Sequence, residues 1–362
     1  MKYTIQNSAN TPSYLQIYNQ IRDDILNGIY PFGSKLPSKR VLASEIGVST
    51  ITIEHAYSLL FDEGYIEPRE RSGYFVVFSR DDGFVSTPSR VHKSVIPTHI
   101  ATTDTPEFPF SVLTKTMRRV MSDYDKAILE RSPNSGCAIL RESIRDYLNV
   151  SRGICVDTEQ IIVGSGSEYL YNLIVALLGR DKLYAIESPS YKKIEQVYRA
   201  SNVKLEMLPL GNDGIESADL WSSKADVLHI SPYRSFPSGV TATASKRHEY
   251  VRWVGKEKFI VEDDFESEFS VSKKPEETLF SLSPENVIYV NTFSKTISPS
   301  LRVGYMVIPK CLLEKFDEQV GFYSCTVPTF VQYVLAELIS NGDFSRHINR
   351  VRRNKRKMLA SE

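Results

Sequence analysis

The 362-residue sequence predicts two domains, a small α+β unit followed by a larger α/β unit on a largely parallel sheet. Three observations predict this. The chain is longer than one ordinary core fills. Residues 1–78 carry helical apolar spacing closed by a hairpin pattern, whereas residues 106–362 alternate short β-rich runs with amphipathic stretches. Residues 79–105 are polar and rich in Pro, Ser and Thr, with few apolar anchors, and read as a linker.

In the first region, Tyr14, Ile17, Tyr18, Ile21 and Ile25 fall at helical spacing, with Ser13 as the expected N-cap. Ser38 is expected to cap a second helix bearing Val41, Leu42 and Ile46, which stops at Gly47. Ser49 opens a third, in which Ile53, Ala56, Tyr57 and Leu60 form one buried face before Gly64. YIEPRERSGYFVVF then reads as two strands around a polar tip. Three helices and a hairpin is the plan of a winged helix-turn-helix.

In that plan the later helix of the pair enters the major groove, and its first exposed residues reach base edges. Ser49, Thr50, Thr52 and His55 are the groove-facing candidates. Lys35, Lys39 and Arg40 sit where they can grip phosphates, Ser38 beside them is a further DNA-contact candidate, and Arg69 and Arg71 lie at the wing tip. Pattern alone also fits a small helical cap whose polar residues are merely solvated.

In the second region, IIVG (161–164), LYAIE (183–187), VLHI (227–230), FIVE (259–262) and VIYV (287–290) are expected strands of a buried sheet. VNTFSKTISPSLRVGYMV places Lys295 after one strand and Arg302 seven residues on. A lysine amine can form a Schiff base with the aldehyde of pyridoxal phosphate (PLP), and an Arg can pair bidentately with its phosphate. VEDDFESEF sets acidic residues at a strand end, where a carboxylate can hold the protonated pyridine nitrogen. VGSGSEYLYNLI is a strand, a Gly/Ser turn and a helix, whose first amides suit a phosphate. ESPSY offers Tyr191 for ring stacking. Each signal has a plainer reading: a surface lysine, a solvated acidic end, an ordinary turn, a packing tyrosine.

Hydrophobic content of 41% and charged content of 24% describe a globular chain. Lys+Arg and Asp+Glu both total 44, and residues 1–80 hold eight of each sign, so any DNA contact must come from a local patch. Cys137, Cys155, Cys311 and Cys325 show no metal spacing and are expected to be unpaired buried thiols. With no signal peptide, and an apolar stretch at Leu170–Leu178 far short of the ~20 residues a membrane span needs, the expectation is a cytoplasmic protein.

The run KLPSKRVLASEIGVSTITIEHAYSLLFDEGYIEPRERSGYFV resembles the winged-helix domain of the GntR family through LPS-x-R-x-LA, GVS-x-x-T, AY-x-x-L-x-x-EG and the close of the wing. The order of the later motifs resembles the MocR subgroup, in which that domain is fused to a fold-type I aminotransferase-like domain. The resemblance implies PLP as cofactor, with Lys295 as the Schiff-base lysine and Asp263 on the pyridine nitrogen. It also implies Arg302, Gly166 and Ser167 on the phosphate, Tyr191 on the ring, and SPYRSFPSG (231–239) beside it. The implied function is a transcriptional regulator that binds an operator in double-stranded DNA as a homodimer and senses an amino-compound effector, with no membrane role. An active aminotransferase with a DNA-binding module, or a regulator that no longer binds PLP, stays open as an alternative.

The sequence departs from that family at several points. Thr50 stands where relatives often carry Arg, so a common guanine contact is missing. Phe265 replaces a Tyr near the cofactor's phenolic oxygen, and Arg234 and Ser235 stand where His and Gln are usual. LERSPNSGCAILRESI lacks a Tyr that often reaches the neighbouring subunit. Much of the C-terminal subdomain, with its carboxylate-clamping Arg, is expected to be missing, and the basic run Arg346–Lys357 reads as the solvated face of a helix.

Overall fold

The computed structural model describes residues 3–5, 11–79, 107–264, 267–271 and 276–361, and divides the chain into two units, Met1–Thr98 and His99–Glu362. The expected linker lies outside the described residues apart from Ser79. Phe265 also lies outside them.

The first unit holds helices α1 (Ser13–Leu26), α2 (Lys39–Ile46) and α3 (Thr50–Asp62), then strands β1 (Ile66–Arg69) and β2 (Gly73–Val76). Ile17, Tyr18, Ile21 and Ile25 of α1 pack on Ile53, Ala56, Tyr57 and Leu60 of α3, with Leu42 and Ala43 closing the core. The strands pair antiparallel from Ile66↔Val76 to Arg69↔Gly73, and a bridge from Lys35 to Phe75 adds a third short edge. Two expectations need correction. Pro12, not Ser13, occupies the N-cap of α1 and makes no side-chain cap bond, because its ring carries no acceptor; Ser13 is the first helical residue. Val41 is exposed, because Leu42 and Ala43 supply the inward face of the short α2.

The second unit is organised on a seven-stranded sheet. Its strands are β3 (Ile161–Gly164), β4 (Leu183–Ser188), β5 (Lys204–Pro209), β6 (Val227–Ile230), β7 (Phe259–Asp263), β8 (Val287–Thr292) and β9 (Gly304–Val307), in the order β3-β9-β8-β7-β6-β4-β5. The run from β8 to β5 is parallel, and β9 is antiparallel to both its neighbours. All five expected strands are present. KLEMLP and GYMV are two more, and the first escapes a hydropathy reading because its side chains are only partly buried at the sheet edge.

Successive residues of each strand face opposite sides of the sheet. Ile260, Val287, Tyr289 and Tyr305 face one core, shared with α4 (Phe110–Tyr124), α5 (Ala138–Arg152), α8 (Ser217–Ser222), α9 (Ala244–Val254), α10 (Leu279–Leu282), α12 (Thr329–Ser340) and α13 (Asp343–Ser361). Val261, Ile288, Val290 and Met306 face the other, shared with α6 (Ser167–Leu178), α7 (Lys192–Ala200) and α11 (Leu313–Gln319). The basic run lies on α13, where Phe344, Ile348 and Val351 face inward and Arg346, Arg350, Arg353 and Arg356 stay exposed. All four cysteines are free, but only Cys137 is buried; Cys155 and Cys311 lie exposed in connecting segments, where no packed face covers them. Among the described residues no helix is long and apolar enough to cross a membrane, and no cluster of His, Cys, Asp and Glu suits a metal ion.

Candidate nucleic-acid interface and candidate cofactor cleft

At the start of α3, Ser49 is the N-cap and accepts a hydrogen bond from the Thr52 amide at 3.1 Å, while its hydroxyl meets that of Thr52 at 2.8 Å. Ser38 caps α2 in the same way, accepting from the Val41 amide at 3.3 Å. These three hydroxyls therefore hold the helix starts as well as facing outward. Lys39 is half-buried and ion-paired with Glu54 on α3 at 2.6 Å, which raises the pKa of its amine above the ordinary lysine value. Arg40, Lys35 and Thr50 are exposed, and His55 stands edge-on to Tyr14 at 5.8 Å. In the wing, Arg69 lies over the Phe75 ring at 4.4 Å and pairs with Glu67 at 3.2 Å. Arg71 sits at the tip with positive φ (57°). The sequence reading missed Ile51, an exposed isoleucine on the outer face of α3.

In the second unit, the carboxyl ends of β4, β6 and β7 converge on a cleft lined by Ser167, Tyr171, Tyr191, Ser231, Arg234, Phe236 and Asp263. Such strand ends are the usual ligand position of an open α/β sheet. Asp263 is buried at the last position of β7 and accepts a hydrogen bond from the Tyr171 hydroxyl at 2.5 Å. The phenol's pKa is driven well above its ordinary value by burial and by the adjacent carboxylate. His229 Nε2 lies 3.7 Å from the same carboxylate, and its Nδ1 meets the Tyr198 hydroxyl at 2.7 Å. Register explains the meeting: His229 pairs with Val261, two residues before Asp263 on the same sheet face.

Glu187, at the end of β4, is buried and accepts from the Ser235 hydroxyl at 2.7 Å. Burial is the main cause that pushes its carboxyl up to about 7; nearby Asp263 adds to the rise, against the bonds from Ser235 and the Ser231 backbone. Tyr171, His229 and Glu187 were not singled out in the sequence. A histidine inside the otherwise apolar VLHI, and a tyrosine one helical turn after Ser167, were the available signals.

Gly166 precedes α6 with φ 96°, and a Cβ there would lie 3.0 Å from an Arg302 terminal nitrogen, so only glycine lets the guanidinium lie against this turn. Arg302 also donates to Glu168 at 3.0 Å, an exposed pair that Lys193 shares. Releasing such a pair costs only about 0.2–1 kcal/mol. Lys295 is half-buried in the turn after β8, the strand whose Val290 pairs with Asp263.

The residues present fit pyridoxal phosphate. A buried carboxylate stands ready for a ring nitrogen. An α6 N-terminus with Ser167 and Arg302 suits a phosphate, and His229 Nε2 is a buried polar atom with no hydrogen-bond partner among the described residues. The enclosed space is small, about 30 Å³, and Tyr191 and Phe236, edge-to-face at 5.9 Å, line it, so a ring must sit between or displace them.

On the opposite face, Glu262 and Asp264 turn away from the cleft. Asp264 is fully buried and meets the Arg152 guanidinium at 2.9 Å. Glu262 accepts from the Leu279 and Phe280 amides at 2.9 and 2.8 Å and from the Tyr233 hydroxyl. Of the neighbouring acids in VEDDFESEF, the structure brings Asp263 alone to the cleft among the described residues.

Residues 13–76 match the model for bacterial regulatory proteins of the gntR family. The uncharacterized HTH-type transcriptional regulator YdeL of Bacillus subtilis is 32% identical over 98% of this chain and 79% of its own length. The probable rhizopine catabolism regulatory protein MocR of Rhizobium meliloti is 28% identical, over 96% of this chain and 76% of its own. The chain is a GntR-family regulator of the MocR type. Its second unit has the fold of the aminotransferases. A kynurenine aminotransferase of Pyrococcus horikoshii superposes with a TM-score of 0.62 at 25% identity, covering 70% of the regulator. The regulator spans 66% of that enzyme, just under two thirds of its length.

Proposed function

We propose that this regulator binds operator DNA as a homodimer through residues 1–78, with 79–105 as linker, and that residues 106–362 bind pyridoxal phosphate and sense an amino compound. The observation that carries the cofactor reading is the Asp263 carboxylate, buried beneath the cleft and held by Tyr171. Asp263 would hold the pyridine nitrogen in its protonated form. Arg302, Ser167 and the Gly166 turn would take the phosphate, Tyr191 the ring face, and Lys295 would hold the group covalently through its amine. When bound, the cofactor supplies an aldehyde for which Lys295 and a free amine compete, so an amino compound can change what the cleft holds.

Arg40, Lys39, Lys35, Arg69 and Arg71 would grip phosphates with Ser38 beside them, and Ser49, Thr50, Thr52 and His55 would lie along the groove. Cofactor and effector shift DNA affinity only if they bind the dimer's DNA-fitting and DNA-misfitting geometries unequally.

The test is the visible absorbance of the purified full chain with added pyridoxal phosphate, alongside Lys295→Ala and Asp263→Asn. The parent should gain a band that Lys295→Ala lacks, and Asp263→Asn should bind about tenfold or more weakly, the value of a charge-assisted hydrogen bond. A parent without a band, or a Lys295→Ala variant that keeps it, defeats the cofactor reading.

A further inference from the structure

The first turns of α3 present a side chain that the fold does not use. Ile53, Ala56, Tyr57 and Leu60 form the buried stripe. At about 100° per residue, Ile51 lies roughly opposite the centre of that stripe, in line with His55 and Ser58. It is 64% exposed, although isoleucine is neither a capping residue nor a favoured surface residue. The polar groups around it are largely engaged within the domain. Ser49 and Thr52 bond to one another, and Glu54 is held by Lys39. Thr50 stands where a longer polar reader is absent. The outward surface at the start of this helix is therefore led by an apolar, branched group.

In the major groove one base edge offers an apolar feature, the C5 methyl of thymine. We propose that Ile51 packs against that methyl and so sets one thymine preference in each half-site of the operator. The inference rests on the operator-binding reading and adds a specificity-determining residue to it.

The full chain is used to enrich a randomised duplex pool, and the enriched duplex is remade with deoxyuridine at each thymine in turn, which deletes only the methyl. At one thymine in each half-site the parent should lose about fourfold in affinity, the worth of one buried methyl-sized group. Ile51→Ala should bind more weakly than the parent on the thymine duplex and lose nothing further on the deoxyuridine one. A parent indifferent to every replacement, or an Ile51→Ala variant that keeps the parent's sensitivity, overturns the inference and leaves operator binding standing. A parent that enriches no duplex overturns operator binding, and this inference with it.

Discussion

Glu187→Gln should stabilise the second unit at high pH and do much less at low pH. The parent carboxyl is buried, and its pKa is pushed from 4.5 up to about 7, with burial the main cause. Because the folded value lies above the unfolded one, the folded state binds the proton more tightly. The contribution is complete below about pH 4.5 and is lost as pH rises through about 7. Keeping this group folded then costs about 3 kcal/mol at pH 8 and under about 1 kcal/mol at pH 5. Glutamine keeps an oxygen that can accept from Ser235 and carries no charge to bury. The variant should therefore gain roughly 2.5 kcal/mol over the parent between pH 5 and pH 8, an order-of-magnitude figure. Both tryptophans, Trp221 and Trp253, lie in the second unit, so urea unfolding followed by tryptophan fluorescence at the two pH values reads this unit alone. An equal difference between parent and variant at pH 5 and pH 8 refutes the reasoning.

Three further outcomes follow from the geometry. Arg152→Met leaves Asp264 buried without its ion pair and should cost about 3–5 kcal/mol in the same unfolding assay, with much of the loss recovered by adding Asp264→Asn. Arg40→Ala should weaken operator binding and lower the salt slope by about one while leaving the cofactor absorbance untouched, and equal affinity of mutant and parent across salt concentrations would remove Arg40 from the interface. Lys39→Ala should weaken binding by more than the loss of one phosphate contact, because it exposes the Glu54 charge, and Lys39→Ala/Glu54→Ala should recover part of that loss.

The helices of the first unit were legible because apolar spacing, Ser38 and Ser49 as caps, and Gly47 and Gly64 as stops all agree on the same boundaries. Less was legible of the side-chain partners there. That Lys39 meets Glu54 fifteen residues on depends on how α2 crosses α3, which local pattern does not encode. The cleft was legible as a set of motifs in order, but Tyr171, His229 and Glu187 were not, because each arrives from a different element.

By itself the sequence determined the alternation of elements, a Gly/Ser turn ahead of the helix at Ser167, and a pair of aspartates at a strand end. Which aspartate does what was decided by the tertiary structure. Adjacent strand residues point to opposite faces, so β7 sends Asp263 toward Tyr171 and His229 and leaves Asp264 to Arg152. The same chemical group becomes a cleft carboxylate or a structural ion pair according to which helix covers its side of the sheet.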